Sequence, residues 1–462
     1  MFNSYRIIHF VGIGGIGMSG IAEVLHNLGY EVTGSDLRES DTTTRLRGLG
    51  MRIFIGHAAE NVDSAHVVVI SSAVSQENPE VVEAKKRNIP VIPRAEMLAE
   101  LGRLKYGVLV AGAHGKTTTT SLVATLLGEG GLDPTVVIGG KLKSMGSNAK
   151  LGQGEYLVAE ADESDGSFLK LSPTIAVITN IDREHMDFFK TMDALKHAFV
   201  SFINKVPFYG TAIVCGAPNV REISPSTQGR VAPYGLSDIA DIYARHISSA
   251  GIRTSFEVVH RGESLGYFTI PIPGMHNVLN SLAAIAVALE LQVPVETISS
   301  ALGGFSGIQR RFELKGEAKG VQVFDDYGHH PSEVRAVLSA AKQCFRDEKL
   351  FVLFQPHRYT RTMDLMNEFA SALGSTLNGS GRLFLMDIYP AGERPIDGVS
   401  SHVLMERVRQ GGFSAVAHIS DRQEMLREVA SGLGSGGVLI TLGAGDVYRM
   451  GEEILSRLKE DV

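Results

Sequence analysis

The chain has 462 residues, too long for one ordinary domain and suggesting about two to four. Hydrophobic residues make up 44 % and charged residues 21 %, a globular composition, and a net charge of −7 excludes a general nucleic-acid binder. The two cysteines, Cys215 and Cys344, make no disulfide framework or metal cluster and fit a reducing cytoplasm; no signal-peptide pattern or run of membrane-spanning length is present.

Arg6 to Val11 reads as a strand, followed by Gly12-Ile13-Gly14-Gly15-Ile16-Gly17 and a helical run from Met18 to Leu28. A second strand, Glu31 to Thr33, ends at Gly34-Ser35-Asp36. This is a dinucleotide-binding fingerprint in context: glycines let the backbone approach a diphosphate, and Asp36 can hold a ribose hydroxyl. The motif does not separate NAD from another nucleotide diphosphate, so an NAD-dependent oxidoreductase stays open at this point. An ordinary strand-to-helix turn is the bland alternative. Val67 to Ile70 is a buried strand ending in Ser71-Ser72, and His57 follows another strand end. Each of these alone reads first as a loop residue.

Tyr106 to Leu126 carries the strongest signal. An apolar strand runs into Gly112-Ala113-His114-Gly115, then Lys116 and four threonines open a helix. Strand, glycine turn and helix N-terminus form a phosphate cradle, with Lys116 as a mobile charge and Thr117 placed for Mg²⁺. The spacing departs from G-x-x-x-x-G-K-[ST], because Val110 stands where the first glycine belongs. Further strands, Glu155 to Glu160 and Thr174 to Thr179, end in acid-rich turns. Parallel strand ends share one edge, so Lys116, Thr117, Glu160 and His185 can converge on a Mg²⁺-phosphate. A solvated acidic turn is the competing reading.

Ile239 to Pro273 alternates with turn signals, as an antiparallel β insertion does. His276, Asn277 and Asn280 then open an apolar helix, the two amides three apart on one face. They suit a base or ribose, or equally a helix cap. In the last segment, strands end in Asp325-Asp326-Tyr327-Gly328-His329-His330, in Gln355-Pro356-His357-Arg358-Tyr359-Thr360-Arg361 and in Leu442-Gly443-Ala444-Gly445-Asp446. Arg358 and Arg361 are spaced to face one carboxylate or phosphate.

Taken in order, GIGGIGMSG, AGAHGKTTTT, EADESD, NIDREHMD, PGMHNVLN, QRRFE, DDYGHHP, PHRYTR and LGAGD resemble the Mur ligase family over nearly the whole chain. The family's short cradle accounts for the unusual spacing. The resemblance implies an α/β protein of three domains: a Rossmann-like UDP-substrate domain at residues 1–103, a central P-loop ATPase domain at 104–309 and a C-terminal α/β domain at 310–462. It implies ATP-dependent joining of L-alanine to UDP-N-acetylmuramic acid through an acyl phosphate, in cytoplasmic peptidoglycan-precursor synthesis. Mg²⁺, or Mn²⁺ in its place, would be the metal, and the protein a monomer or homodimer without membrane insertion. A tripeptide-recycling ligase shares much of the pattern, but its glycine loop differs from GIGGIGMSG.

The resemblance also assigns residues. Gly12, Gly14, Gly15, Gly17, Asp36, His57 and Ser72 would line the UDP site. Gly112, Ala113, His114, Gly115, Lys116, Thr117, Thr118, His276, Asn277, Asn280, Arg311 and Asp326 would bind ATP. Thr117, Glu160 and His185 would hold the metal. Tyr327, His329, Arg358 and Arg361 would take the alanine and the muramoyl carboxylate. Catalytic roles fall on Lys116, His185, Asp326 and His329, the last as candidate general base.

Overall fold

A computed structural model describes residues 6–71, 73–143, 147–223, 226–346, 348–377, 381–433 and 436–460. The short apolar runs become strands, and three sheets result, each with strands aligned in parallel at its centre.

The first sheet contains β1 (Ile7–Val11), β2 (Glu31–Asp36), β3 (Arg52–Ile55), β4 (Val67–Ile70) and β5 (Val91–Pro93) in the order β3-β2-β1-β4-β5. Every pairing in it is parallel. β1 is the switch point: the chain winds outward on one side of it, then restarts on the other.

The second sheet has ten strands. These are β6 (Tyr106–Ala111), β7 (Thr135–Leu142), β8 (Ser147–Lys150), β9 (Tyr156–Glu160), β10 (Ile175–Ile178), β11 (Thr211–Cys215), β12 (Val231–Gly235), β13 (Ile242–Ala250), β14 (Arg253–His260) and β15 (Glu263–Ile270). The order is β15-β14-β13-β12-β11-β10-β6-β9-β7-β8. β6 pairs in parallel with β9 and β10, so the cradle lies between the two acid-rich turns. The segment read as a β insertion extends this sheet: β13 pairs in parallel with β12, and β14 and β15 follow through two-residue connections. Arg261 and Gly262 both have positive φ, 51° and 85°, as a tight hairpin turn requires.

The third sheet contains β16 (Glu313–Ala318), β17 (Val321–Asp326), β18 (Leu350–Phe354), β19 (Gly381–Leu385), β20 (Val416–His418) and β21 (Gly437–Leu442), ordered β16-β17-β21-β18-β19-β20. Only β16 runs antiparallel among the pairs described. Both faces are covered. Leu350, Val352 and Phe354 of β18 join one core, while Phe351 and Leu353 join the other. That alternation is the period of a strand buried on both sides.

The chain divides into two compact units. One comprises Met1–His246, Phe256–Thr269 and Leu279–Ser306; the other comprises Ile247–Ser255, Ile270–Val278 and Gly307–Val462. The first unit therefore holds the first sheet together with most of the second. Among the described residues, no helix is long and apolar enough to cross a membrane.

Candidate active site

In the first sheet the glycine loop leaves β1 at the switch point, where the crevice at the strand ends opens. Gly12 takes φ 77°, a conformation that favours glycine. The Gly14 N–H donates to Asp36 Oδ2 at 2.9 Å, and a Cβ on Gly14 would come within 2.7 Å of that oxygen. Asp36 is thus tied to the loop. His57 Nδ1 lies 3.0 Å from both Ser35 Oγ and Glu80 Oε2. Glu80 is wholly buried. Burial works to raise its pKa, but the nearby His9 ring and hydrogen bonds from Ser35 and Asn61 outweigh this and hold it below the usual value. Ser72 lies outside the described residues.

The cradle follows β6. Gly112 and Gly115 have φ 133° and 81°. A Cβ on Gly112 would meet Thr179 Oγ1 at 2.2 Å, and one on Gly115 would meet Asn280 Oδ1 at 2.5 Å. Both positions therefore require glycine. The His114 N–H donates to Asn180 Oδ1 at 2.9 Å, and the His114 ring lies 3.0 Å from Asp182. Helix Lys116–Glu129 starts at the cradle, with Thr117 and Thr118 buried in its first turn. Thr119 Oγ1 donates to Asn280 Oδ1 at 3.2 Å, which fixes the amide beside Gly115.

Lys116 Nζ donates to the Gly112 carbonyl at 2.7 Å and to Glu163 at 2.8 and 3.0 Å. Burial pushes its pKa down, but Glu163, with Asp162 and Glu184, drives it above the ordinary lysine value. The ammonium is therefore charged. Ligand atoms of Glu163, Glu184 and His185 lie within 4.8 Å of one another. His185 itself adopts a left-handed φ of 57°, a backbone cost borne at this point. The structure thus groups His185 with Glu163 and Glu184, whereas Glu160 accepts the Gly139 N–H at 2.7 Å. Carboxylate and hydroxyl oxygens around the cradle suit a hard dication.

The third sheet carries its own cluster at the ends of β17 and β18. Asp326 accepts N–H bonds from Phe312 at 2.8 Å and Gly328 at 2.7 Å. Burial nevertheless pushes its pKa up to about 6, against the pull of Arg311. Arg311 lies over the Tyr327 ring and 3.7 Å from Glu333. Burial lowers His329 to about 4, as it does His357 and His276. The His329 and His357 rings are 5.9 Å apart, and His357 stacks on Tyr389. Arg361 donates to the His357 carbonyl at 3.3 Å, and Arg358 to Glu393 at 2.6 Å. Asn277 donates to the Pro273 carbonyl at 2.7 Å, as a helix-start amide does. Tyr327, His329, His357 and Arg361 thus form a run of neighbouring side chains within one unit, while Arg358, next to His357 in the chain, turns to Glu393.

Family models match in the same order as the sheets. They are the Mur ligase family catalytic domain over residues 7–106, the Mur ligase middle domain over 110–288 and the Mur ligase glutamate ligase domain over 310–445. The chain belongs to the Mur ligase family. It is 58 % identical over 460 residues to a UDP-N-acetylmuramate–L-alanine ligase of Geobacter sp. (strain M21), covering 99 % of each chain. The UDP-N-acetylmuramate-alanine ligase of Thermotoga maritima superposes with a TM-score of 0.83 at 29 % identity, over 98 % of this chain and 99 % of that one. A murein peptide ligase of Psychrobacter arcticus shares the fold, with a TM-score of 0.72 at 24 % identity over 99 % of each chain.

Five side chains of this Mur ligase were not singled out from its sequence: Glu80, Glu163, Glu184, His357 and Glu393. Glu163, Glu184 and His357 sit inside motifs that were recognised, so proximity to Lys116, His185 and Arg358 was the available signal. Glu80 and Glu393 lie far in sequence from the residues they hold. Only the fold brings them together.

Proposed function

We propose that this Mur ligase joins L-alanine to the lactyl carboxylate of UDP-N-acetylmuramate, with ATP converted to ADP and phosphate. The observation that carries this reading is the agreement of full-length relatives, 54 to 58 % identical, that bear this activity in their names. The product feeds peptidoglycan-precursor synthesis, and we place the enzyme in the cytoplasm with its nucleotide substrates.

A carboxylate is a poor electrophile, so it must be activated. The γ-phosphoryl group moves from ATP to the lactyl carboxylate, forming an acyl phosphate and releasing ADP. The alanine nitrogen attacks the acyl carbon, and the tetrahedral adduct expels phosphate as the amide forms. The glycine loop of the first sheet, with Asp36 and His57, holds the UDP moiety. The backbone N–H groups of Gly115, Lys116, Thr117 and Thr118 face the ATP phosphates, those of Ala113 and His114 being held by Asn180, and Lys116 offsets charge on the group in flight. For that it exchanges its bond to Glu163 for the phosphate oxygens. Thr117, His185 and either Glu160 or the Glu163–Glu184 pair would hold Mg²⁺, which when bound neutralises phosphate charge. Asn280 lies beside the cradle for the nucleotide, and His276, Asn277, Arg311 and Asp326 complete its proposed contacts.

Arg358 and Arg361 take the alanine carboxylate, with Tyr327 and His329 beside them. With a pKa near 4, His329 is neutral at neutral pH and free to accept the proton leaving the amine. That low value makes it a weaker base than an ordinary imidazole.

Phosphate release is the test, with ATP, Mg²⁺ and UDP-N-acetylmuramate present and L-alanine, D-glutamate or L-alanyl-D-glutamyl-diaminopimelate added in turn. Release and a ligated mass with L-alanine alone is the expected result. Release with the tripeptide alone moves the protein to peptide recycling. Silence with every acceptor, from folded protein that binds ATP, removes the ligase reading.

A further inference from the structure

The loop that follows β19 reaches back to the end of β18. Tyr389 makes the first link. Its N–H donates to the Pro356 carbonyl at 2.8 Å, and its own carbonyl accepts the Arg358 N–H at 2.8 Å. Its ring stacks on His357 at 5.4 Å and 10°. This backbone clamp holds Arg358 at φ 74°, a conformation an arginine rarely adopts. The chain then turns sharply. The Glu393 N–H donates to Pro390 at 2.9 Å, and Ala391 and Gly392 take φ 48° and 88°. The turn returns Glu393 against the Arg358 side chain.

Glu393 meets it at one defined point. Oε1 accepts from Arg358 Nε at 2.6 Å and from Thr360 Oγ1 at 2.7 Å, while Oε2 accepts the Thr360 N–H at 3.0 Å. Each carboxylate oxygen is thus engaged, and the carboxylate cannot swing away without losing Thr360. Burial works to raise the Glu393 pKa, yet the Thr360 bonds and Arg358 bring it down to about 2. The group is therefore an anion at neutral pH. On the arginine only Nε is engaged; the two terminal nitrogens have no protein partner among the described residues. The Arg358 side chain is 42 % exposed, so its outer edge is open.

We propose that Glu393 is a positioning residue for the amino-acid substrate: by gripping Arg358 at Nε, it aims the two terminal nitrogens at the incoming carboxylate. This rests on the reading that Arg358 receives the amino acid. The outer edge of a guanidinium matches both oxygens of a carboxylate, and orientation before binding lowers the ordering cost that binding otherwise carries. Two non-glycine residues, Arg358 and Ala391, sit in the left-handed region on the two sides of this contact. A loop that only closed the surface would not need that backbone cost at both places.

The test compares Glu393→Gln, Glu393→Asp, Arg358→Ala and the double variant Glu393→Gln/Arg358→Ala with the intact full-length enzyme. KM and kcat are measured for L-alanine, ATP and UDP-N-acetylmuramate, and again with L-alaninamide, which lacks the carboxylate. Glu393→Gln should raise the KM for L-alanine by about tenfold, the size of one lost charge-assisted contact, while the other two KM values and kcat at saturating alanine stay within about twofold. Its preference for alanine over alaninamide should shrink by the same factor. On an Arg358→Ala background the change should add nothing. Glu393→Asp keeps the charge on a shorter arm and should fall between; it carries the same comparison if the Gln variant melts early.

An unchanged alanine KM in Glu393→Gln, with a raised one in Arg358→Ala, overturns the proposal and leaves the site reading intact. An unchanged alanine KM in Arg358→Ala overturns both. Equal losses with alanine and alaninamide, or additive losses in the double variant, mean that Glu393 acts only on the fold and also overturn the proposal.

Discussion

Lys116 is held by acids more than by anything else. Its partner Glu163 is almost fully buried, so removing the ammonium leaves an anion uncompensated. Lys116→Ala should therefore do two things: lower ligation by at least about a hundredfold, as loss of a charge facing a transferring phosphoryl group does, and lower the melting temperature. Adding Glu163→Gln should restore much of the melting temperature and none of the activity. A near-normal rate of phosphate release in Lys116→Ala contradicts the phosphate role. The histidines make a second prediction. His276, His329 and His357 all fall to about 4 in the folded protein, from 6.5. The unfolded chain binds more protons between those values, so their contribution is present above pH 6.5 and is lost as pH falls through 4. Asp326, raised from 3.8 to about 6, runs the other way and loses its contribution as pH rises through 6. Three groups oppose one, so thermal stability should fall on acidification from pH 6.5 to 4. His357→Gln should flatten that slope in a melting series, and Asp326→Asn should steepen it. Unaltered slopes in both variants would mean these groups are not desolvated as the structure has them.

At the scale of elements, what was legible in the sequence was whatever a backbone requirement wrote into it. Gly112 and Gly115 announced the cradle because no Cβ fits beside Thr179 and Asn280. Apolar runs such as Val108 to Val110 announced strands buried on both faces. β8 has no strand signal of its own in the sequence. Its residues Ser147 and Asn148 are polar yet buried, because their partners come from another part of the chain. Helix Ile16–Asn27 packs on β7 and β8. Ser147 Oγ donates to Glu23 at 3.0 Å, while Asn148 Nδ2 donates to the Ile16 carbonyl and lies 3.3 Å from Ser19 Oγ. A polar strand is satisfied by a distant helix, and no local pattern records it. The same holds for Glu80 behind His57. The clasp has a consequence. Ile16 belongs to the glycine loop, so Asn148→Ala should loosen that loop as well as the fold. It should lower stability by about 1 kcal/mol, the net worth of one hydrogen bond, because the Ile16 carbonyl keeps the bond from Ser19 Oγ at 2.9 Å. It should also raise the KM for the sugar nucleotide and spare that for ATP. Steady-state kinetics with each substrate varied in turn would show this. A rise in both KM values would assign β8 to general stability alone.

For the molecule as a whole, the three sheets share one plan: chemistry-bearing residues follow the carboxyl ends of parallel strands, at β1, at β6, β9 and β10, and at β17 and β18. The sequence shows this plan three times, because each strand end carries its own motif. It does not show that the second compact unit is assembled from three stretches of chain. Residues 307–462 supply the third sheet, while Ile247–Ser255 and Ile270–Val278 come from the region of β13 to β15 and the start of helix Met275–Glu290. The borrowed stretches are not ornamental. Ile252 packs against the core that includes Phe324, Phe345 and Phe354, and a Cβ on Gly274 would lie 3.2 Å from Ala340. A fragment of residues 307–462 keeps all six strands of its sheet, so it should fold. It lacks those two stretches, however, and exposes apolar surface that they cover, so it should be less stable than the same residues in the full chain. Amide exchange is the appropriate measurement, because it reads the sheet in both settings. Amides of β17, β18 and β21 should exchange faster in the fragment, at matched pH and temperature. Equal protection would mean that the third sheet is self-sufficient and the borrowed stretches only rest on it.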